Sequence, residues 1–442
     1  MSFVLPDIPH QTNRHFMDAV VKSTHEQEIS LTDDVYNQNG VKLLSRGAKV
    51  SSETYSKVIS HKLVKPIELC LSVEDAPSGE MLARTAEQVL DEFPLLTDLC
   101  SWKHGRVTPL GMLKQCKMGE GASSLLAVAF AQNPLAARHA VMTSLIAMGL
   151  CNAHRYNDPQ MLVSLCLAGL FHDIGELYVD PASMQADHVL SAQQWHAYSS
   201  HPIIGAALAR EVCRFDKTTQ QAILEHHEYA DGFGYPRNLC GKGLSVAGRL
   251  ASLSEVLAAL ITKPSAESRI DVALKIMPGE HDRELVSLVY ELLHGRQRTA
   301  VPPPPGSTTK AEDVHAVFMR IAAVLSVYDD IMHHRECLQP KVEGMLSEAF
   351  NRFVEIQKAF ASTGINGLQS LEHAEDSDAL QEIRLEAECV LNEIAWRLLK
   401  LARELTLKAA SLGEQEAGPL LRLSNALAGT EETHHEAVVE LF

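Results

Sequence analysis

Residues 226–236 read His-His-Glu-Tyr-Ala-Asp-Gly-Phe-Gly-Tyr-Pro. Few strings leave a backbone so little choice. Gly232 and Gly234 permit positive φ and close backbone approach, and Pro236 cannot continue a helix. The two adjacent histidines therefore stand at the end of one element, immediately before a turn. A second pair, His172-Asp173, closes an apolar run and is followed by Gly175 in the same way. Neighbouring residues do not share a helix face, but at a helix end both can reach one site. Imidazoles and carboxylates gathered at helix ends suit a metal site better than a featureless core.

The scaffold reads as helical. Leu135–Met148 and Met161–Leu170 are rich in Ala, Leu, Val and Met, with apolar residues recurring at three and four. Asn133-Pro134 marks a helix start. Aromatics are only 5% of the chain, while Ala and Leu are abundant, which leans the same way. At 442 residues the chain exceeds one ordinary domain. We expect a mainly α protein in four parts: a small α+β module over 1–78, a helical domain over 79–300, a Pro-rich linker over 301–309 and a helical region over 310–442.

In the first part, Asn37-Gln38-Asn39-Gly40 between Asp34-Val35-Tyr36 and Val41–Leu44 predicts a hairpin. Ser51 and Ser52 offer caps for a helix through Ile59. Val64–Leu69 reads as a strand, with Pro66 marking an edge. In the last part, Val314, Val317, Ile321, Val324, Tyr328 and Ile331 share a stripe. Near-heptad spacing runs from Leu380 and Ile383 to Leu405. These stripes fit a helical bundle packed on itself, or a coiled-coil-like surface for a homodimer or protein partner.

The formal charge of −17 argues against a DNA-coating protein. The nine cysteines form no CxxC pair and read as small hydrophobes in a reducing cytosol. No uninterrupted apolar stretch of membrane-spanning length and no secretory signal is evident, so a cytoplasmic protein without a membrane span is expected. The ligand candidates in chain order are His139, His172, Asp173, His201, His226, His227 and Glu255. The pairs His333-His334 and His434-His435 lack the Asp-Gly-x-Gly turn and read as solvated faces. Asp231 either fixes a His ligand in its tautomer or caps the turn before Gly232. Lys263 and Arg249 are the nearest basic candidates for phosphate contact, with Arg249 also readable as a salt-bridge partner.

His172-Asp173-Ile174-Gly175, His201-Pro202-Ile203-Ile204-Gly205 and the run 226–236 resemble the HD-GYP branch of the HD phosphohydrolase superfamily. The similarity covers residues 125–265, and the N-terminal hairpin module is more weakly similar to small domains ahead of other HD-GYP domains. The resemblance implies an all-helical HD-type domain with two or three Fe or Mn ions. It also implies a bacterial signalling phosphodiesterase that linearises cyclic di-GMP to pGpG, with GMP as a further product. His139 matches a ligand on an early helix, His172 and Asp173 the HD pair with Asp173 bridging, His201 the His-Pro ligand, and His226 and His227 the paired ligands. Gly234-Tyr235-Pro236 matches the turn used for partner contact and loop shape.

The departures are Glu176 for the family's phosphate-contacting Lys, Glu255 for a late Asp ligand, Ala258 for a second Asp, and Lys263-Pro264-Ser265 for Arg-Pro-Tyr. Leu135 stands where trinuclear members carry Glu, which favours two metals. Three functions remain open at this stage. They are an active cyclic-dinucleotide phosphodiesterase, a binding or signalling module that has lost turnover, and a phosphohydrolase of another nucleotide.

Overall fold

A computed structural model describes residues 5–7, 11–100, 108–154, 158–184, 191–294, 311–363, 378–410 and 412–429. The Pro-rich stretch 301–309 and His434-His435 lie outside the described residues. The chain is mainly α with a few short strands.

At the N-terminus, α1 (Arg14–Ser23) precedes β1 (Ile29–Leu31), β2 (Val35–Tyr36) and β3 (Lys42–Leu44). Gly40 takes the left-handed conformation, with φ 79°, and lets β2 and β3 pair antiparallel as the Asn-Gly signal predicts. Ser51 caps α2 (Ser52–Val58) in a capping box with Thr54. The strand expected over Val64–Leu69 is not formed. Pro66 instead opens a 3-10 turn over Ile67–Cys70, where Leu69 donates back to the Pro66 carbonyl. The strand begins later, as β4 (Leu71–Val73), and pairs antiparallel with β1. Proline lacks an N–H and fixes φ, so a turn is the cheaper outcome there.

The helices that follow are α3 (Gly79–Glu92), α4 (Pro94–Leu99), α5 (Pro109–Lys114), α6 (Glu120–Gln132), α7 (Pro134–Ala153) and α8 (Pro159–Phe171). Then come α9 (Ala192–Ser199), α10 (His201–Glu211), α11 (Lys217–Glu225), α12 (Val246–Ile261), α13 (Ala266–Ile276) and α14 (Arg283–His294). Asn133 caps α7 by accepting from the Leu135 N–H at 3.0 Å, and Asp158 caps α8. The segments Pro134–Ala153 and Pro159–Tyr178 are long and apolar enough to cross a membrane by length and composition, although the sequence reading found no such stretch. In each, 67% of the apolar window is buried inside the fold, so here they serve as core.

Two compact units divide the chain. The first draws on Met1–Met184, Ala197–Thr262 and Gly279–Arg298. Within it the small α+β module packs with the helices: β4 lies on α6, and α7 lies against α8 and α12. The second draws on Gln185–His196, Lys263–Pro278 and Thr299–Phe442. It contains α15 (Ala311–His333), α16 (Pro340–Ser362), α17 (Asp378–Ala410) and α18 (Glu414–Ala428). Val317, Ile321, Val324 and Ile331 of the expected α15 stripe are buried, as are Ala387, Val390, Ile394, Leu398, Leu401 and Leu405 of α17. The side chains of Val314, Leu380 and Ile383 lie outside the described residues. The stripes are used for packing within this unit.

Candidate metal centre

Each ligand candidate sits where a helix starts, ends or passes the same spot in the first unit. His139 lies in α7 and Glu255 in α12. His172 is the C-cap of α8, His201 is the first residue of α10, and His226 is the C-cap of α11. Asp173 and His227 each follow one residue beyond a helix end, as the Gly-bounded motifs require.

Two glycines allow these ends to converge. A Cβ at Gly175 would meet the His201 carbonyl at 2.0 Å, so the His172-Asp173 turn lies directly on the start of α10. A Cβ at Gly234 would sit 2.3 Å from the Glu228 Cα. The Gly-Tyr-Pro turn thereby folds back on the chain just beyond His226-His227, where the Tyr235 N–H donates to the His227 carbonyl at 3.0 Å. The Tyr235-Pro236 peptide is cis.

Two fully buried carboxylates tie this turn down. Glu228 accepts from the backbone N–H groups of Arg237 at 2.6 Å and Leu239 at 2.9 Å. Glu225 accepts from the Arg237 guanidinium, from the Ser245 N–H at 3.0 Å and from the Ser245 hydroxyl at 2.6 Å.

The imidazoles are oriented by main chain. The Nδ1 atoms of His172, His201 and His226 donate to the carbonyls of Gly169, Tyr198 and Ile223, each three residues earlier, at 2.8, 2.7 and 2.6 Å. That pattern leaves each Nε2 as a lone pair. The Nε2 atoms of His201 and His226 then face each other at 3.1 Å. Two lone pairs at that separation suit a shared cation. The donor set thus fits a bound metal, and the residues present can supply it.

The side chains fall into two groups. Asp173, His201, His226 and His227 form one, and His139, His172 and Glu255 form the other, with ligand atoms within 4.8 Å of one another in each. Asp173 faces both. Its Oδ1 lies 3.4 Å from His226 Nε2 and 3.5 Å from His201 Nε2, while its Oδ2 lies 2.9 Å from His172 Nε2. Glu255 Oε2 is 2.8 Å from His139 Nε2 and 3.1 Å from His172 Nε2.

The electrostatics match a cation site. Burial opposes the charge on Asp173, yet His172, and then His226 and His201, hold its carboxyl well below the usual range. Burial also opposes Glu255, and His139 and His172 outweigh it. Burial first, then His226, pulls His201 down to about 4. Burial likewise holds His227 well below the usual imidazole range. Burial disfavours charge on His139 and His172 as well, yet Glu255 and Asp173 raise both above the usual imidazole range. Two ionised carboxylates thus stand with the His139 and His172 imidazoles they favour charged and the His201 and His227 imidazoles that burial keeps neutral.

The other sequence candidates are placed differently. Asp231 Oδ1 accepts from the Phe233 N–H at 3.0 Å, a turn-closing bond of the kind expected before Gly232. Arg249 pairs with Asp282 at 2.6 Å. Lys263 is exposed and belongs to the second unit. Glu176 is half-buried, and burial, then Asp173, push its carboxyl well above the ordinary range. Sequence reasoning missed Tyr198, whose ring centroid lies 5.2 Å from that of His201. Its place three residues before His201 in a helical run was the available signal.

Residues 124–285 match the family model described as HD domain. A 3′3′-cGAMP-specific phosphodiesterase 3 of Vibrio cholerae is 32% identical over 155 residues, covering 33% of this chain and 32% of that protein. A 3′3′-cGAMP-specific phosphodiesterase 2 of the same organism is 29% identical over 131 residues, 28% of this chain and 25% of that protein. A cyclic di-GMP phosphodiesterase, also from Vibrio cholerae, is 30% identical over 110 residues, 24% of this chain and 22% of that protein. The chain thus spans only a quarter to a third of the length of such curated relatives. HD-domain phosphohydrolases are metal-dependent, and the His and Asp cluster fits that chemistry.

Proposed function

Taking as premise that residues 124–285 are an HD domain consistent with the HD-GYP family, we propose that this chain is a metal-dependent phosphodiesterase of cyclic dinucleotides. It opens cyclic di-GMP to linear pGpG and holds two divalent ions, Fe or Mn. The observation that carries this reading is the carboxylate of Asp173, whose two oxygens face two different groups of ligands. Ions bound there would activate a water and neutralise charge developing on the phosphate.

The chain's own residues do the rest. Asp173 ties the two groups together at a fixed separation. The carbonyls of Gly169, Tyr198 and Ile223 hold three imidazoles in the tautomer that offers Nε2. Glu255 closes the second group from α12, its side chain reaching His139 and His172. Relatives named for both cyclic di-GMP and 3′3′-cGAMP support the cyclic dinucleotide as substrate class.

The test uses purified protein loaded with Mn(II) or Fe(II) and incubated with cyclic di-GMP and with 3′3′-cGAMP, with linear product followed by chromatography. Linear pGpG from metal-loaded protein, absent after chelation, is the expected result. Tight dinucleotide binding without product would assign a binding module instead. Protein that takes up no stoichiometric metal would sink the proposal.

A further inference from the structure

The half-exposed members of the site define its open side. His172, His201 and His226 are buried, whereas Asp173, Glu176, Tyr198, His227 and Tyr235 keep part of their surface in solvent. On the phosphodiesterase reading, a phosphoester would reach the ligand groups across these residues.

Two tyrosines stand in that opening. The Tyr198 ring lies 5.2 Å from His201 and 6.3 Å from Tyr235. Tyr235 in turn stacks on His227, with centroids 4.6 Å apart and planes at 29°. The Tyr235 and Tyr198 hydroxyls hydrogen-bond each other, so the two phenols are oriented together. The contacts of the Tyr198 ring with His201 and Tyr235, the latter stacked on His227, set it beside the ligand group of Asp173, His201, His226 and His227. The guanidiniums of the surrounding segments are engaged elsewhere, Arg237 by Glu225 and Arg249 by Asp282. A phosphodiester arriving beside Asp173 and Glu255 can take a hydrogen bond from a neutral phenol hydroxyl.

We infer that Tyr198 is a substrate-contact residue, whose hydroxyl, steadied by Tyr235, hydrogen-bonds a non-bridging oxygen of the phosphodiester. This rests on the phosphodiesterase reading above. The same residue serves the site twice, because its backbone carbonyl accepts from His201 Nδ1 at 2.7 Å. A variant that alters only the hydroxyl separates the two roles.

Tyr198→Phe keeps the ring and the carbonyl and removes the hydroxyl. Its metal stoichiometry should equal that of the wild type. Its kcat/KM for a cyclic dinucleotide should fall about ten-fold, the worth of one well-placed hydrogen bond. Inorganic phosphate binding to the metal-loaded protein, measured by calorimetry, should weaken by about five-fold. Tyr235→Phe, which removes the orienting partner, should lose less than Tyr198→Phe. Wild-type phosphate affinity and kcat/KM in Tyr198→Phe would overturn the assignment. So would a parallel loss of metal, which would make Tyr198 a support for His201 alone. The phosphate arm keeps the two readings apart. A wild type that binds phosphate but turns over no dinucleotide defeats the proposed reaction, while the change in phosphate affinity still decides Tyr198. Metal-loaded wild type that binds no phosphate overturns Tyr198 as well.

Discussion

The turn after α8 and the turn after α11 both deliver a pair of ligands to one place, and they are held by different physics. The His172-Asp173 turn rests on steric fit, with Gly175 so close to the His201 carbonyl that no side chain can stand there. The His226-His227 turn shares a close glycine, Gly234, but adds buried carboxylates, with Glu225 and Glu228 gathering backbone N–H groups, a hydroxyl and a guanidinium. Steric fit fails abruptly when volume is added. A buried acceptor network fails in proportion to the partners removed. The two turns should therefore answer mutation in distinguishable ways.

The largest effect is expected at the residue both ligand groups share. Asp173→Ala should cost both ions and all turnover, read by elemental analysis and product formation. Retention of one full equivalent of metal would break the reading of Asp173 as a bridge. Next, Gly175→Ala should destabilise the fold by about 3 kcal/mol and reduce metal content with it, because the added methyl must push α10 away from the turn. Wild-type stability and metal loading in that variant would remove the steric side of the contrast.

Glu225→Ala should cost about 2 kcal/mol by stranding Arg237 and Ser245. Hydrogen exchange should rise over residues 237–245 while metal stays bound, since Glu225 is not a ligand. Loss of metal in step with stability would merge the two turns into one cooperative element. Glu176→Lys places a cation beside the phosphate path, and KM for the dinucleotide should fall by about three-fold, the scale of a half-exposed ion pair. An unchanged KM would mean that position 176 lies outside the phosphate path.

The smallest expected effect concerns Glu68, buried in the N-terminal module and bonded by the Tyr178 hydroxyl. Burial raises its folded-state pKa above the ordinary 4.5. The carboxyl therefore favours folding while it is protonated. That stabilisation is complete below 4.5 and is lost as pH rises through the raised folded value. Thermal unfolding should show a shallow decline over this window in the wild type and a flatter profile in Glu68→Gln. Identical profiles would remove Glu68 as its source.

Much of the site was legible because its ligands stand at helix ends that leave local marks. Asn133-Pro134, Asp158 and the Gly after each pair announce where helices start and stop, and the recurrence of apolar residues at three and four supplies their lengths. The hairpin at Gly40 was legible for the same reason. Val64–Leu69 was misread because its β-prone composition hid the effect of Pro66, which opens a 3-10 turn and delays the strand to Leu71. Tyr198 left a local mark three residues before His201, but its contact with Tyr235 and the Glu225 network were out of reach because those partners are distant in sequence. No local pattern says that Glu225 will meet Ser245, or that a phenol before His201 will meet Tyr235. Arg249 has a basic side chain in a suggestive position, but only three-dimensional proximity identifies Asp282 as its partner.

The bonds from Nδ1 to a carbonyl three residues back have a further consequence. Sites that orient their imidazoles with carboxylates must preserve additional side chains, and each is a target for mutation. Here the orienting group at three imidazoles is the peptide bond itself, which every substitution leaves in place. A neighbouring half-exposed side chain such as that at 176 is free to drift while the helix continues to aim its histidines. A lineage could thus retune what the pocket admits without first losing the ability to hold an ion.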